Sequence, residues 1–329
     1  MAVSITWIFG IAALLAARAV PAAAMVPALA MGPPETAVDR STQTQDVRFR
    51  NDGQDRMTVP VRLSGLGPFQ FLVDTAADRS AVSRTIVDRL KFQPASGAEL
   101  HSLTGVSAVM TAHVPGVALS RVPAREIEAA VLEDSNMGAD GIVGSDLLRN
   151  QRVQFDFATR TMSVVPAYAP DPADEPGAIV IRAKRTNGRL IVTDVNIAGQ
   201  RVTMVLDTGA EVSIGNEALH RKLLRKGLVD LEHGVQLDSV TGGQIQGDSM
   251  VIPQLATSEG VALSNLVVVF VDAHTFKQLK LDQKPALLLG MNAIRAFKKV
   301  SIDFANRRFR VVLPEHSGIE TRFASATRK

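Results

Sequence analysis

Two dipeptides stand out by residue type and by setting: Asp74-Thr75 and Asp207-Thr208. Each closes a short apolar run, FQFLV from Phe69 and VTMVL from Val202. A strand of that composition belongs in a core, so it delivers a carboxylate to a buried turn. A single buried carboxylate is costly and tends to neutralise. Two carboxylates side by side relieve the cost by sharing one proton, and their protonations then separate. One carboxyl is then an acid and the other a base at the same pH. Such a pair can deprotonate a water and protonate a carbonyl oxygen, the two proton transfers that amide hydrolysis requires. This chemistry calls for no metal and no organic cofactor.

The chain must bring the two aspartates together, and it does so by repeating itself. FQFLVDTAADRS aligns with VTMVLDTGAEVS, pairing Asp74 with Asp207, Thr75 with Thr208, Ala77 with Ala210 and Ser80 with Ser213. Ile142-Val143-Gly144 corresponds to Leu288-Leu289-Gly290, and VQFDFATRTMSVV from Val153 to VSIDFANRRFRVV from Val300. Three matches in the same order imply duplication of one unit. Two copies related by a pseudo-two-fold axis place equivalent residues face to face, so each half supplies one aspartate.

Both units read as strand-rich: short runs of Val, Ile, Leu and Thr broken by Gly, Asn or Pro. The last matched segment of each is expected as a hairpin about a short turn. Short helices are expected at Arg84–Leu90, Glu217–Lys226, Asp146–Asn150 and Asn292–Phe297. The basic run from His220 is read as the solvated face of one of them. GLGPF from Gly65 reads as a tight hairpin turn. Asp140 reads as a turn residue, Asp156 and Asp303 as structural, and Asp78 and Glu211 as helix caps or partners of a neighbour. The stretch PAYAPDPADEPG resists helix and strand alike and marks a linker. The expected organisation is a signal peptide at 1–24, a flexible lead-in at 25–45, a first lobe at 46–165, the linker at 166–177, a second lobe at 178–314 and a tail at 315–329. The signal peptide is inferred from the apolar stretch Ile5 to Ala17 and the small residues Ala22-Ala23-Ala24, and implies a periplasmic or secreted protein.

Composition removes several classes. The 329-residue chain has no cysteine, which rules out disulfides, thiolate nucleophiles and cysteine zinc sites. Its formal charge of +3 comes without a basic block interleaved with aromatics, so nucleic acid is not an expected partner. No His-Glu-x-x-His and no Gly-x-Ser-x-Gly occurs. Beyond the first segment no stretch is apolar and long enough for a membrane-spanning helix.

The motifs LVDTAA, VLDTGA, IVG and LLG make the sequence resemble the retropepsin-like aspartic peptidases, in the tandem two-lobe form found in bacterial periplasmic members. The resemblance covers both units. It implies a mainly β, bilobed fold and an endopeptidase acting on a peptide or protein segment held in the cleft. Asp74 and Asp207 would hold the attacking water, supported by Thr75, Ala76, Thr208 and Gly209 in the catalytic loops. Gly144 and Gly290 would pack behind those loops. Hairpin flaps would carry Thr104-Gly105 and Thr241-Gly242. The flaps contain no Tyr, so the pockets should be mainly aliphatic. One position departs from the family: Ala76 stands where Asp-Thr-Gly is usual. A positive φ there would cost alanine about 1 kcal/mol, and a close approach would be blocked. The alternative reading is therefore a peptide-binding module of the same fold with impaired chemistry.

Overall fold

The computed structural model describes residues 57–119, 123–167, 177–186 and 189–314, plus the backbone of short paired segments at 6–8, 14–15, 46–48 and 50–51. The rest of the expected signal peptide, the lead-in, most of the linker and the tail lie outside the described residues.

Each half folds into a mainly antiparallel sheet that closes on itself. In the first, Met57–Leu63 and Leu66–Val73 form a hairpin about Ser64 and Gly65, as the GLGPF stretch suggested. Leu66–Val73 continues to Gly141–Val143, then Ala81–Ser83, Arg125–Leu132 and Thr111–Leu119, which pairs back onto Met57–Leu63. The second half repeats the path through Arg189–Ile197, Gln200–Leu206, Ala286–Leu289, Ser213–Gly215, Ala262–Phe270 and Gln244–Thr257. In both, the strand bearing the Asp-Thr dipeptide is central. It is flanked on one side by its hairpin partner and on the other by the short parallel strand that precedes Gly144 or Gly290. A strand paired on both edges and buried on both faces fixes its last residue firmly.

The helices follow the same duplication. Ser83 accepts a hydrogen bond from the Ile86 N–H to start Arg84–Leu90, and Asn216 accepts one from the Leu219 N–H to start Glu217–Arg225. The helices after the glycines are shorter and begin earlier than the sequence suggested, at Ser145–Leu148 and Met291–Ile294. Each is a single turn whose first amide, which has no acceptor within the helix, is satisfied by the loop after the Asp-Thr dipeptide: Ser145 N–H donates to Ala77 O and Met291 N–H to Ala210 O, both at 2.8 Å. The basic run is solvated as expected at Arg221, Lys222, Arg225 and Lys226, and His220 is the exception. His220 faces inward, stacked on Phe270, because the helix turns Ala218, Leu219, His220 and Leu223 towards the sheet.

A third sheet joins the halves. The hairpins Gln151–Asp156/Thr161–Pro166 and Lys299–Asp303/Arg308–Val312 meet edge to edge, with Phe155 opposite Val300 and Arg152 opposite Asp303. Ala178–Arg182 adds to the outer edge of the second hairpin. Val153, Phe155, Met162, Val300, Ile302 and Phe309 lie beneath this sheet in one apolar cluster that runs through both lobes. At roughly 1.5–3 kcal/mol for each large apolar side chain buried, this shared core holds the lobes in fixed register.

Candidate active site

The two Asp-Thr dipeptides meet where the lobes abut. Asp74 and Asp207 are 1% and 0% exposed. Behind them the threonines form a reciprocal lock. Thr75 N–H donates to Thr208 Oγ1 at 3.0 Å, and Thr208 N–H donates to Thr75 Oγ1 at 3.2 Å. Each hydroxyl then donates across the interface, Thr75 to Leu206 O at 3.1 Å and Thr208 to Val73 O at 2.7 Å. Four buried hydrogen bonds thus tie each aspartate-bearing strand to the loop of the opposite lobe.

The support behind each loop is duplicated as well. Asp74 N–H donates to Val143 O and Asp207 N–H to Leu289 O, both at 3.0 Å. Gly144 N–H donates to Ser80 Oγ and Gly290 N–H to Ser213 Oγ. Ser80 donates in turn to Asp146, and Ser213 to Asn292. A Cβ on Gly144 would lie 2.6 Å from the Arg79 carbonyl, and one on Gly290 2.5 Å from Val212 O. Glycine is required at both positions by close backbone approach and not by backbone angle.

The carboxylates themselves are not equivalent. Asp74 Oδ1 accepts from the N–H groups of Ala76 at 2.8 Å and Ala77 at 2.9 Å. Asp74 Oδ2 is buried and accepts no hydrogen bond among the described residues. Asp207 Oδ1 accepts from the Gly209 N–H at 3.0 Å. Gly209 also touches the other carboxyl, since a Cβ there would fall 2.5 Å from Asp74 Cγ. One residue therefore contacts both acids. Burial raises Asp74 to about 6, against the lowering effects of the Ala76 amide, Arg189 and the Ala77 amide.

Neither Ala76 nor Gly209 has a left-handed φ. The strain considered for Ala76 is therefore absent, and the constraint at this position is contact. Ala76 is fully buried, so the first lobe carries the methyl group for which the second has no room. A Gly209→Ala variant should push the Asp74 carboxylate aside and lower kcat about 100-fold. Steady-state kinetics beside a melting curve would check it, and an undiminished kcat would show that the contact has no role.

The flaps cross over. In the hairpin Ala98–His101/Val106–Val109, the tip residue Leu103 is buried in an apolar cluster of the second lobe with Val205, Val212 and Phe276. In the hairpin of Glu232–Asp238 and Gln244–Thr257, Val240 is buried in a first-lobe cluster with Leu72, Leu100 and Met137. Thr104-Gly105 and Thr241-Gly242 come together at these tips. Ser102 Oγ lies 3.2 Å from Thr241 Oγ1, and Thr104 packs against Gly243. His274 N–H donates to Leu103 O at 3.0 Å, and the rings of His101 and His274 make a 2.9 Å nitrogen–nitrogen hydrogen bond.

Sequence reasoning missed Arg189. This side chain is 0% exposed. It begins the strand Arg189–Ile197 of the second lobe and crosses to the first, where Nε donates to Ala76 O at 2.7 Å and Nη1 lies 3.9 Å from Asp78 Oδ2. Asp78 is thus an ion-pair partner and not a helix cap. Its carboxyl is pushed up to about 6 chiefly by burial, which Arg189 opposes and Asp74 reinforces. A signal was present: Arg56 and Arg189 stand at the same distance ahead of Asp74 and Asp207, although Arg56 lies outside the described residues. Asp140 likewise does more than turn the chain, for its carboxylate accepts the Gln70 N–H of the strand that ends at Asp74, at 2.7 Å.

Two closed β lobes, each presenting one buried Asp-Thr loop to a common centre, define the acid-protease class of fold. Residues 59–150 match the family of gag-polyprotein aspartyl proteases, and residues 193–293 match the aspartyl protease family. Together the matches span more than half of the chain, one on each lobe. The chain belongs to the retropepsin-like aspartyl proteases, with two such domains in tandem. Comparison with curated proteins finds no match.

Proposed function

We propose that the protein is an exported aspartic endopeptidase in which Asp74 and Asp207 activate one water molecule between them. The observation that carries this reading is the meeting of two buried carboxyls on a reciprocal threonine lock, since a scaffold gains nothing from apposed buried acids. Asp74, raised to about 6, holds its proton and donates it to the carbonyl oxygen, while Asp207 takes the proton of the attacking water. The substrate lies extended beneath the flaps, with alternate side chains in mainly aliphatic pockets. The flap edges suit strand addition: Thr6–Ile8 pairs alongside Glu99–His101, and Leu14–Leu15 alongside Leu237 and Asp238. Export rests on the apolar segment near the start of the chain. Among the described residues no helix is long and apolar enough to cross a membrane.

Cleavage of a peptide library across pH 3–8 tests the reading. Asp74 loses its proton as pH rises through about 6, so kcat should fall above that value by about tenfold per unit. Undiminished cleavage at pH 8 would remove Asp74 as the proton donor. The Ala76 methyl favours a second reading, a module that binds peptides without cutting them. Binding without cleavage, together with cleavage restored by Ala76→Gly, would select it.

A further inference from the structure

The second lobe holds a cluster that the peptidase chemistry does not use. His220 on the helix Glu217–Arg225, Asp230 on the following loop and Asp248 on a flap strand bring their ligand atoms within 4.8 Å of one another. His220 Nε2 lies 2.7 Å from Asp230 Oδ1, and its ring is held by stacking on Phe270 with centroids 4.6 Å apart. Its other nitrogen, Nδ1, lies 3.9 Å from Glu217 Oε1. His233, on the paired flap strand, places Nδ1 2.9 Å from Asp248 Oδ1. The imidazole is buried, whereas the Asp248 side chain is 37% exposed and leaves a path from solvent.

The internal duplication shows that the fold does not need these groups. Counting from the paired Asp-Thr dipeptides, His220 corresponds to Val87, which packs against the core of the first lobe. Asp248 pairs with Phe270, and Phe270 pairs with Gly215. The first-lobe counterpart of Phe270 is Val131, which pairs with Val82 and donates its N–H to Met110 O. Asp248 thus occupies the position of Met110. The same scaffold carries valine and methionine in one lobe and imidazole and carboxylate in the other.

We propose that His220, Asp230 and Asp248 bind a divalent transition-metal cation of the zinc type. One imidazole and two carboxylates suit such an ion, with water or His233 completing the coordination. Bonds of about 2.0–2.2 Å would draw Asp248 inward and part His220 Nε2 from Asp230 Oδ1, replacing their hydrogen bond with two bonds to the ion. Glu217 would orient the imidazole from behind, as carboxylates do for metal-bound histidines. The ion would pin the base of the second-lobe flap to the helix, outside the catalytic centre.

The full chain, stripped with a chelator, would be titrated with zinc chloride by calorimetry and melted with and without the ion. Binding of one equivalent is expected, with Tm raised by about 5 °C when free zinc is about 100 times Kd. Asp248→Asn keeps the His220–Asp230 pair and should melt normally without zinc, yet bind it at least tenfold more weakly. The double variant His220→Val, Asp248→Met, which installs the first lobe's own residues, should lose the site. A wild type that binds no zinc below ~100 µM would overturn the proposal. So would full-affinity binding by either variant with loss of binding in His101→Gln, which would move the ion to the His101–His274 pair.

Discussion

Replacing either aspartate with asparagine should lower kcat by about 10⁴-fold or more, because the two carboxyls act as one unit. The substitution keeps the local hydrogen bonds, since an asparagine Oδ1 at position 74 still accepts from the Ala76 and Ala77 amides. What it removes is the shared proton. The Asp74→Asn variant should also be more stable than the wild type at neutral pH, and the sign follows from linkage. Burial lifts Asp74 from 3.8 to about 6, so the folded state resists its ionisation. That penalty is absent below 3.8, grows as pH rises and is complete above about 6. Removing the ionisable group should stabilise the fold by on the order of 2–3 kcal/mol at pH 8 and by almost nothing at pH 3.5. Denaturant melts at both pH values, beside single-turnover cleavage, would show the exchange of stability for activity. An Asp74→Asn enzyme that still cuts, beside a dead Asp207→Asn, would mean that the second lobe works with another copy of itself.

Arg189→Met should be the most damaging substitution outside the catalytic pair. It removes a buried cation, its bond to Ala76 O and the charge that opposes the upward shift of Asp78. Removing one member of a buried ion pair typically costs about 3–5 kcal/mol; Asp78 keeps some solvent contact, so about 3 kcal/mol is expected here. The cost should depend on pH. Without Arg189 the Asp78 carboxyl rises further, so the variant suffers most where the wild-type carboxyl is ionised, above about 6, and least in acid. A double variant with Asp78→Leu should recover most of the loss, since no charge is then left without its partner. Equal destabilisation at pH 5 and pH 8, with no recovery in the double variant, would show that Arg189 acts through its packing alone.

The sequence revealed what the duplication repeated. Asp74, Thr75, Gly144 and their counterparts are short-range motifs whose neighbours are fixed by the strand that carries them, and the spacing of the hairpins was plain from alternating residues. The structure added contacts made between lobes. Arg189 reaches a carbonyl in the other half of the chain; its repeat at Arg56 marks the position but gives no sign of where the side chain ends. Leu103 and Val240 were hidden for a similar reason. Each directly precedes a flap Thr-Gly pair and reads as one more apolar strand residue until the opposite lobe supplies its pocket. His220 was misread because a basic run on a helix is dominated by its lysines and arginines, while the inward face is set by the sheet beneath. The requirement for glycine at position 209 was legible only as a motif. Its cause, contact with Asp74 across the interface, depends on the second loop being in place.

The crossed flaps have a consequence for the order of events. Leu103 is sunk in the second lobe and Val240 in the first, while Asp74 and Asp207 are 1% and 0% exposed, so the two tips act as latches over the acids. Any guest must wait until both latches release. If the released form is about one molecule in a hundred, every guest binds about a hundredfold more weakly than its own contacts dictate. That discount is the same for all sequences, so it sharpens no preference; it sets a threshold. Segments long enough to replace both buried tips with their own apolar side chains should recover what opening costs, whereas short peptides should bind weakly whatever their sequence, a door that reads length before it reads sequence.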